Sequence, residues 1–287
     1  MSRSARSASL LRRVARSRPA RWSLVVICLL VLAALVGPRL WPYSPSAQLD
    51  IVRLKNAAPS WSHPLGTDQY SRDLLARILS GAQISLGIST VAVALSMTLG
   101  TMYGLVAGYA GGRVDTVMMR ALDGLLAIPR VLLVIALVTV WTQVPLWGLI
   151  VLIGGTGWFG VSRLVRAETL TARRAVYVDA ARALGVTPAR ILWRHVLPNV
   201  LAPVIVSATL AVGNVIVLES GLSYLGAGTR EPSASWGAMF TDAMSSSLGT
   251  WGLLFPGIAI VVTAMAFNVL GDALRDILDP RTTSPVA

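Results

Sequence analysis

The sequence predicts an all-α, polytopic membrane protein with six transmembrane helices, and three observations carry that prediction. Of the 287 residues, 54% are hydrophobic and 13% charged. A water-soluble domain carries about 25% charged residues, and this chain has too little charge to cover its apolar surface. Uncharged stretches recur that reach the roughly 20 apolar residues needed to cross a hydrocarbon core. The arginines gather in two segments that four intervening crossings put on the same side of the membrane.

The elements follow in order. Residues 1–21 are a basic leader holding Arg3, Arg6, Arg12, Arg13, Arg16, Arg18 and Arg21 and no acid. The N-terminal span is 22–40, almost wholly aliphatic over 24–36. A secretory signal peptide is the alternative there. The apolar run exceeds a usual h-region, however, and Gly37-Pro38-Arg39-Leu40 is not a small-x-small cleavage site, so a retained anchor is the better reading. Residues 41–80 form an extracytoplasmic segment of mixed charge. The transmembrane core is 81–276, with spans at about 83–110, 115–141, 146–166, 197–219 and 251–272, the second and third of these sharing the uncharged stretch 131–162 as the end of one helix and most of the next. Gln143, Val144 and Pro145 interrupt one uncharged run and mark a turn between two helices. A second outer segment, 226–250, contains Arg230, Glu231, Pro232 and Asp242. Residues 277–287 are the tail.

Between the fourth and fifth spans stand Arg163, Arg166, Arg173, Arg174, Arg182, Arg190 and Arg194 against Glu168 and Asp179. With seven arginines each, leader and loop carry 14 of the 25 basic residues. The positive-inside rule assigns both, with the tail, to the cytoplasmic side of the membrane. The leader could also touch anionic lipid headgroups. Cys28 is the one cysteine, which excludes an internal disulfide and leaves it an apolar filler in a span.

Gly100, Gly104, Gly108 and Gly112 recur every four residues along the second span, a surface for close helix packing within the chain or against a partner. Gly154, Gly155, Gly157 and Gly160 make a second glycine-rich surface in the fourth span. Pro129 should kink the third helix, because it lacks a donor and crowds the preceding turn. In the cytoplasmic loop, residues 179–184 favour a helix that Gly185 ends in a left-handed conformation. Thr187 and Pro188 read as an N-cap and first helical residue, and Pro198 as the stop that opens the fifth span. The product is a helix–glycine–helix elbow, either an interfacial linker or a handle for a cytoplasmic partner.

Here the order Asp179-Ala180-Ala181, Gly185, then Leu197-Pro198 resembles the EAA loop of ABC importer permeases. Leu65-Gly66-Thr67-Asp68 with Arg72-Asp73-Leu74-Leu75, Gly108-Tyr109-x-Gly-Gly, the run from Glu219 to Gly226, and Gly271-Asp272 through Asp279-Pro280 resemble the C-type permease of the dipeptide, oligopeptide and nickel branch. The resemblance covers 64–280. It implies the type I ABC importer permease fold and a coupling helix built on Asp179, Ala180, Ala181, Gly185, Leu197 and Pro198. Asp179 departs from the usual glutamate; His195 stands where many permeases have isoleucine, although the peptide branch often has histidine there. The resemblance also implies a second, B-type permease subunit, two ATP-binding subunits or one fused ATPase, and an extracytoplasmic solute-binding protein. ATP and magnesium belong to those partners, and this chain has no cofactor. Dipeptides and oligopeptides lead as cargo, with nickel complexes, haem and other small solutes as alternatives.

No GxxxxGK[ST] loop exists, since the single lysine, Lys55, follows Leu54. His63 and His195 are the only histidines and fall on opposite sides of the membrane, so no metal site is expected. No nucleophile–base pair is discernible and the basic excess is topogenic, so neither an enzyme nor a nucleic-acid binder is indicated. The rival is an ion-coupled secondary transporter, for which Glu219, Asp123 and Asp115 are the carboxylates to weigh. The spacing puts Glu219 near the outer surface and Asp115 near the inner one. Arg120 and Asp123 are three apart on one helix face and could pair. Arg130, Asp123 and Arg120 are the pathway candidates, and Arg130 is the residue expected to meet carbonyl or carboxylate groups of cargo.

Overall fold

The computed structural model describes residues 14–141, 144–229, 235–244 and 250–278. Arg3, Arg6, Arg12 and Arg13 of the leader, Gln143, the Arg230-Glu231-Pro232 run, and Asp279-Pro280 with the rest of the tail lie outside them. The described residues build helices: α1 (Arg18–Leu40), α2 (Leu74–Ala110), α3 (Gly112–Leu126), α4 (Arg130–Val140) and α5 (Leu146–Arg173). There follow α6 (Val176–Ala183), α7 (Pro188–Ile191), a π-turn (Leu192–Val196), α8 (Leu197–Tyr224), α9 (Trp236–Met244) and α10 (Thr250–Leu278). Among the described residues five stretches are long and apolar enough to cross a membrane: α1, α2, α5, the run Pro188–Tyr224 and α10. α3 and α4, bent by 74°, make a sixth if they are one broken span.

Local structure departs from the sequence reading in four places. Pro129 does more than kink the third helix: it stands in extended conformation ahead of α4 and separates it from α3. Its missing N–H and its bias of Ile128 away from helix end α3 outright. Pro198, expected to stop a helix, instead lies in the first turn of α8, and the helix runs through it. The π-turn allows this, with Leu197 N–H bonded to the Leu192 carbonyl. The widened turn relieves the clash a proline makes with the carbonyl four residues back. α5 continues to Arg173, so Arg163 and Arg166 stand within it rather than in a connecting loop. The fourth difference is α9, a helix the outer segment was not expected to contain.

The bundle is organised on α2 against α5, its most extensive helix pair. Glycines bring the two backbones together. A Cβ at Gly104 would lie 2.5 Å from the Ser162 carbonyl oxygen, and one at Gly108 2.9 Å from that of Arg166. At Gly100 it would meet Val161 Cβ at 2.6 Å. From the α5 side, Gly154 faces the Ala92 carbonyl and Gly157 faces Ser96. Lipid offers no hydrophobic drive, so such close approach supplies the association. Gly112 is not part of this contact: it begins α3 with φ +55° and open space beside it. Gly155 and Gly160 likewise face open space. α1 packs on α2 and α10, where Gln83 Nε2 donates to the Ala34 carbonyl at 2.7 Å. Cys28 lies exposed on α1.

Candidate functional site

The elbow that joins α5 to α8 is closed by backbone geometry. Val186 N–H donates to the Ala181 carbonyl at 3.1 Å and Gly185 N–H to that of Arg182 at 2.9 Å. These are the two bonds of a Schellman cap, which requires a left-handed residue. Gly185 supplies it at φ +74°. Thr187 holds the N-cap position of α7, but its side chain makes no capping bond. The fixed φ of Pro188 starts that helix instead.

Val178, Ala181, Ile191 and Val196 are buried and fix the elbow to the bundle. Its outward side combines apolar groups and arginines: Val176 is 84% and Leu184 83% exposed, beside Arg182, Arg190 and Arg194. Ala180 is exposed there, as is Asp179, which pairs with Arg182 at 3.2 Å. Asp179, Ala180, Ala181 and Gly185 thus share one small element. Leu197 and Pro198 lie beyond the π-turn in the first turn of α8. His195 is in the π-turn, its ring 6.5 Å from that of Tyr177, and Asn199 Nδ2 bridges the Tyr177 hydroxyl and the His195 carbonyl.

Charged side chains tie the elbow end of the bundle together. Arg173 Nη1 donates to the Tyr109 carbonyl at 2.8 Å, and Arg182 stands over the Tyr109 ring. Arg166 grips Asp115 with two bonds, Nη2 to Oδ2 at 2.6 Å and Nε to Oδ1. Arg163 binds Asp123. The expected Arg120–Asp123 pair is therefore not formed: the carboxylate goes to α5, and Arg120 is exposed on α3.

Arg130 is half-buried, its Nη2 donating to the Ile153 carbonyl at 2.8 Å and its Nε to Thr156 Oγ1 at 3.4 Å. Gly157 leaves the room it occupies, since a Cβ there would come within 3.0 Å of Nη2. Ile153 and Arg163 are separated by about 15 Å along α5 at 1.5 Å per residue. Arg130 and Asp123 are thus held at different levels, and the three pathway candidates do not form one cluster.

At the opposite end, the motif around residues 65–75 builds a buried polar core. Asp73 caps α2 through Ala76 N–H at 2.8 Å and accepts from Trp41 Nε1 at 2.9 Å; its other oxygen meets His63 Nδ1 at 2.8 Å. Asp68 binds Arg72 Nε at 2.6 Å and Arg77 Nη1 at 3.3 Å, and Arg77 also reaches Asp242 of α9 at 3.3 Å. Glu219, 1% exposed, accepts from Ser223 at 2.9 Å and from Ser235, the residue before α9, at 2.6 Å. Trp236 anchors α9 by donating from Nε1 to the Ile78 carbonyl at 3.1 Å. Sequence reasoning missed Arg77, Asp242, Arg163 and Arg166 as partners. Acids and arginines on successive helices were the available signal.

The geometry can be set beside known proteins. Residues 100–284 match the family described as the binding-protein-dependent transport system inner membrane component, and residues 7–59 match the N-terminal TM domain of oligopeptide transport permease C. The chain is 41% identical over 271 residues to a putative peptide transport system permease protein of Brucella suis, covering 94% of this chain and 90% of that one. It is 38% identical to the oligopeptide transport system permease protein OppC of Haemophilus influenzae, covering 94% and 87%. The dipeptide transport system permease protein DppC of Bacillus subtilis is 40% identical, with 94% and 84% covered.

Proposed function

The chain belongs to the family of binding-protein-dependent transport inner membrane components, and on that premise we propose that it is the permease subunit of an ATP-driven peptide importer, forming half of the pathway for dipeptides or oligopeptides. The observation that carries this reading is the elbow. It presents Val176, Leu184 and three arginines outward from a rigidly capped turn between two membrane-spanning runs. A surface of that kind, held to the bundle by Val178 and Ile191, suits docking against a separate motor subunit. ATP and magnesium act there, and this chain supplies no catalytic group. A second, B-type permease chain completes the pathway and an extracytoplasmic solute-binding protein delivers cargo. The leader, elbow and tail face the cytoplasm, and residues 41–80 with α9 face the receptor.

Closing of the ATPases moves the elbow, and the bundle exchanges between two states with different contacts. Because α5 and α8 flank the elbow and α2 is locked on α5, motion there is passed on through the packed α2–α5 unit. Arg120, Asp123 and Arg130 belong to the pathway side of this subunit, with Arg130 also tethering α4 to α5.

The test is uptake by the reconstituted complex. Transport requires the ATPase subunits and, over short times, is indifferent to proton uncouplers. Gly185→Val puts a β-branched residue where φ is +74°, opens the elbow, and leaves ATP hydrolysis running without uptake. A Gly185→Val complex with wild-type uptake per ATP would count against the assignment.

A further inference from the structure

α3 has two exposed faces of opposite character. At about 100° per residue, Asp115, Met118, Met119 and Leu122 turn into the bundle. About 120° further round stand Arg113, Thr116, Arg120 and Asp123, all exposed, and beyond them Val114, Val117, Ala121 and Leu125, exposed as well. The neighbours of α3 fix which side each face is on. The Tyr103 hydroxyl bonds the Met118 carbonyl at 2.7 Å, which marks the α2 side, and the apolar face lies there. Arg166 and Arg163 mark the α5 side through Asp115 and Asp123, and the polar face lies there.

On α5 the polar face continues over Gly160, Arg163 and Ala167, all exposed, with open space beside Gly160. Taken with α4 as one broken span, α3 carries its charges within the membrane, and such charges face a water-filled cavity or the bundle interior rather than lipid. The apolar face of α3 therefore takes the lipid or the neighbouring subunit, and the polar face takes the water. That wall carries Arg113, Arg120 and Arg163 against Asp123, a cationic excess.

We propose that this face of α3 and α5 is the wall along which cargo moves, and that Arg120 and Arg163 receive a carboxylate of the cargo as it passes. The inference rests on the permease reading above and names the chemistry that reading leaves open. A guanidinium matches a carboxylate with two parallel hydrogen bonds. Arg163 is engaged by Asp123, but the two side chains are 53% and 57% exposed, and such exposed pairs are weak. Arg163 can exchange Asp123 for a passing carboxylate and return to it. Transit needs binding strong enough to enter and weak enough to leave, and a partly satisfied arginine provides that.

The experiment uses the complete transporter with its binding protein in proteoliposomes and three cargoes: a peptide with a free C-terminus, its C-terminal amide, and an amidated peptide with a side-chain carboxylate. Comparing each variant with wild type on the same receptor cancels the receptor's own preference. Arg120→Glu should lower uptake of the free acid relative to the amide by about tenfold, the size of one charge-assisted contact. Arg163→Gln should lower it in the same direction by less. A loss shared by the third cargo identifies any carboxylate as the ligand; a loss confined to the first identifies the C-terminus. An acid-to-amide ratio unchanged in both variants overturns the proposal.

Wall placement has its own readout in a Cys28→Ser background. Thr116→Cys should react with a membrane-impermeant thiol reagent and Val117→Cys should not; equal reaction at both sites overturns the wall. If wild type moves none of the three cargoes, the peptide reading fails, while the labelling still decides whether this face meets water.

Discussion

Gly104 and Gly160 lie on facing helices, yet one has no tolerance for a side chain and the other has room. A Cβ at Gly104 would stand 2.5 Å from the Ser162 carbonyl and 2.7 Å from Val165 Cβ, backbone and a packed branch point that cannot swing away. Gly104→Val must therefore part α2 from α5, and overpacking of this kind destabilises by about 3 kcal/mol or more. Gly160→Ala meets nothing within 4 Å and should be neutral or slightly stabilising. Unfolding of the two variants in detergent, read side by side, tests the assignment of the glycine face. Equal stability would mean that α2 and α5 do not depend on that approach. Gly185 needs glycine for another reason: its surroundings are open, and the constraint is the left-handed backbone of the elbow cap.

At the scale of elements, two ion pairs set the rotation of α3, and their surroundings give them different weights. Asp115 is buried and held by two bonds from Arg166, which is itself two-thirds covered. Asp115→Asn leaves that guanidinium without its counter-charge, and breaking a largely buried pair costs about 3 kcal/mol. Asp123→Asn breaks an exposed pair and should change stability by less than about 1 kcal/mol. The pair of melting curves checks the order of the two effects. The break between α3 and α4 was legible in part, because Pro129 announced a disturbance. The 74° size of the bend was not legible, nor was the bond from Arg130 to the Ile153 carbonyl of α5, a contact no local pattern specifies. Pro198 shows the reverse case, a proline that reads as a stop and is absorbed by one widened turn.

Across the whole molecule the two ends are secured differently. The elbow end is joined by arginines reaching between helices. The opposite end is joined by a polar core in which residues 41–73, α2 and α9 meet. Asp73 is the hinge of that core, since it caps α2 and accepts from Trp41 and His63. Asp73→Ala removes a helix cap, at about 1 kcal/mol, and leaves buried donors unanswered, for a total of about 3 kcal/mol. The expected result is a lower melting temperature together with faster proteolysis within 41–73, while the elbow keeps its protection. Uniform loosening of both ends would show instead that the two act as one unit.

The sequence by itself determined the helical class, the apolar runs, the positive-inside asymmetry and the elbow around Gly185. These are short-range properties: hydropathy over about 20 residues, or one residue's φ preference. It also carried the family motifs, which mark the branch without reference to the fold. Only the tertiary structure decided the partners. Asp123 and Arg163 are 40 residues apart and Asp115 and Arg166 are 51, and spacing along the chain does not encode how two helices are set side by side. The glycine contact fixes that register, and through it which arginine meets which acid and which faces of α3 are left uncovered.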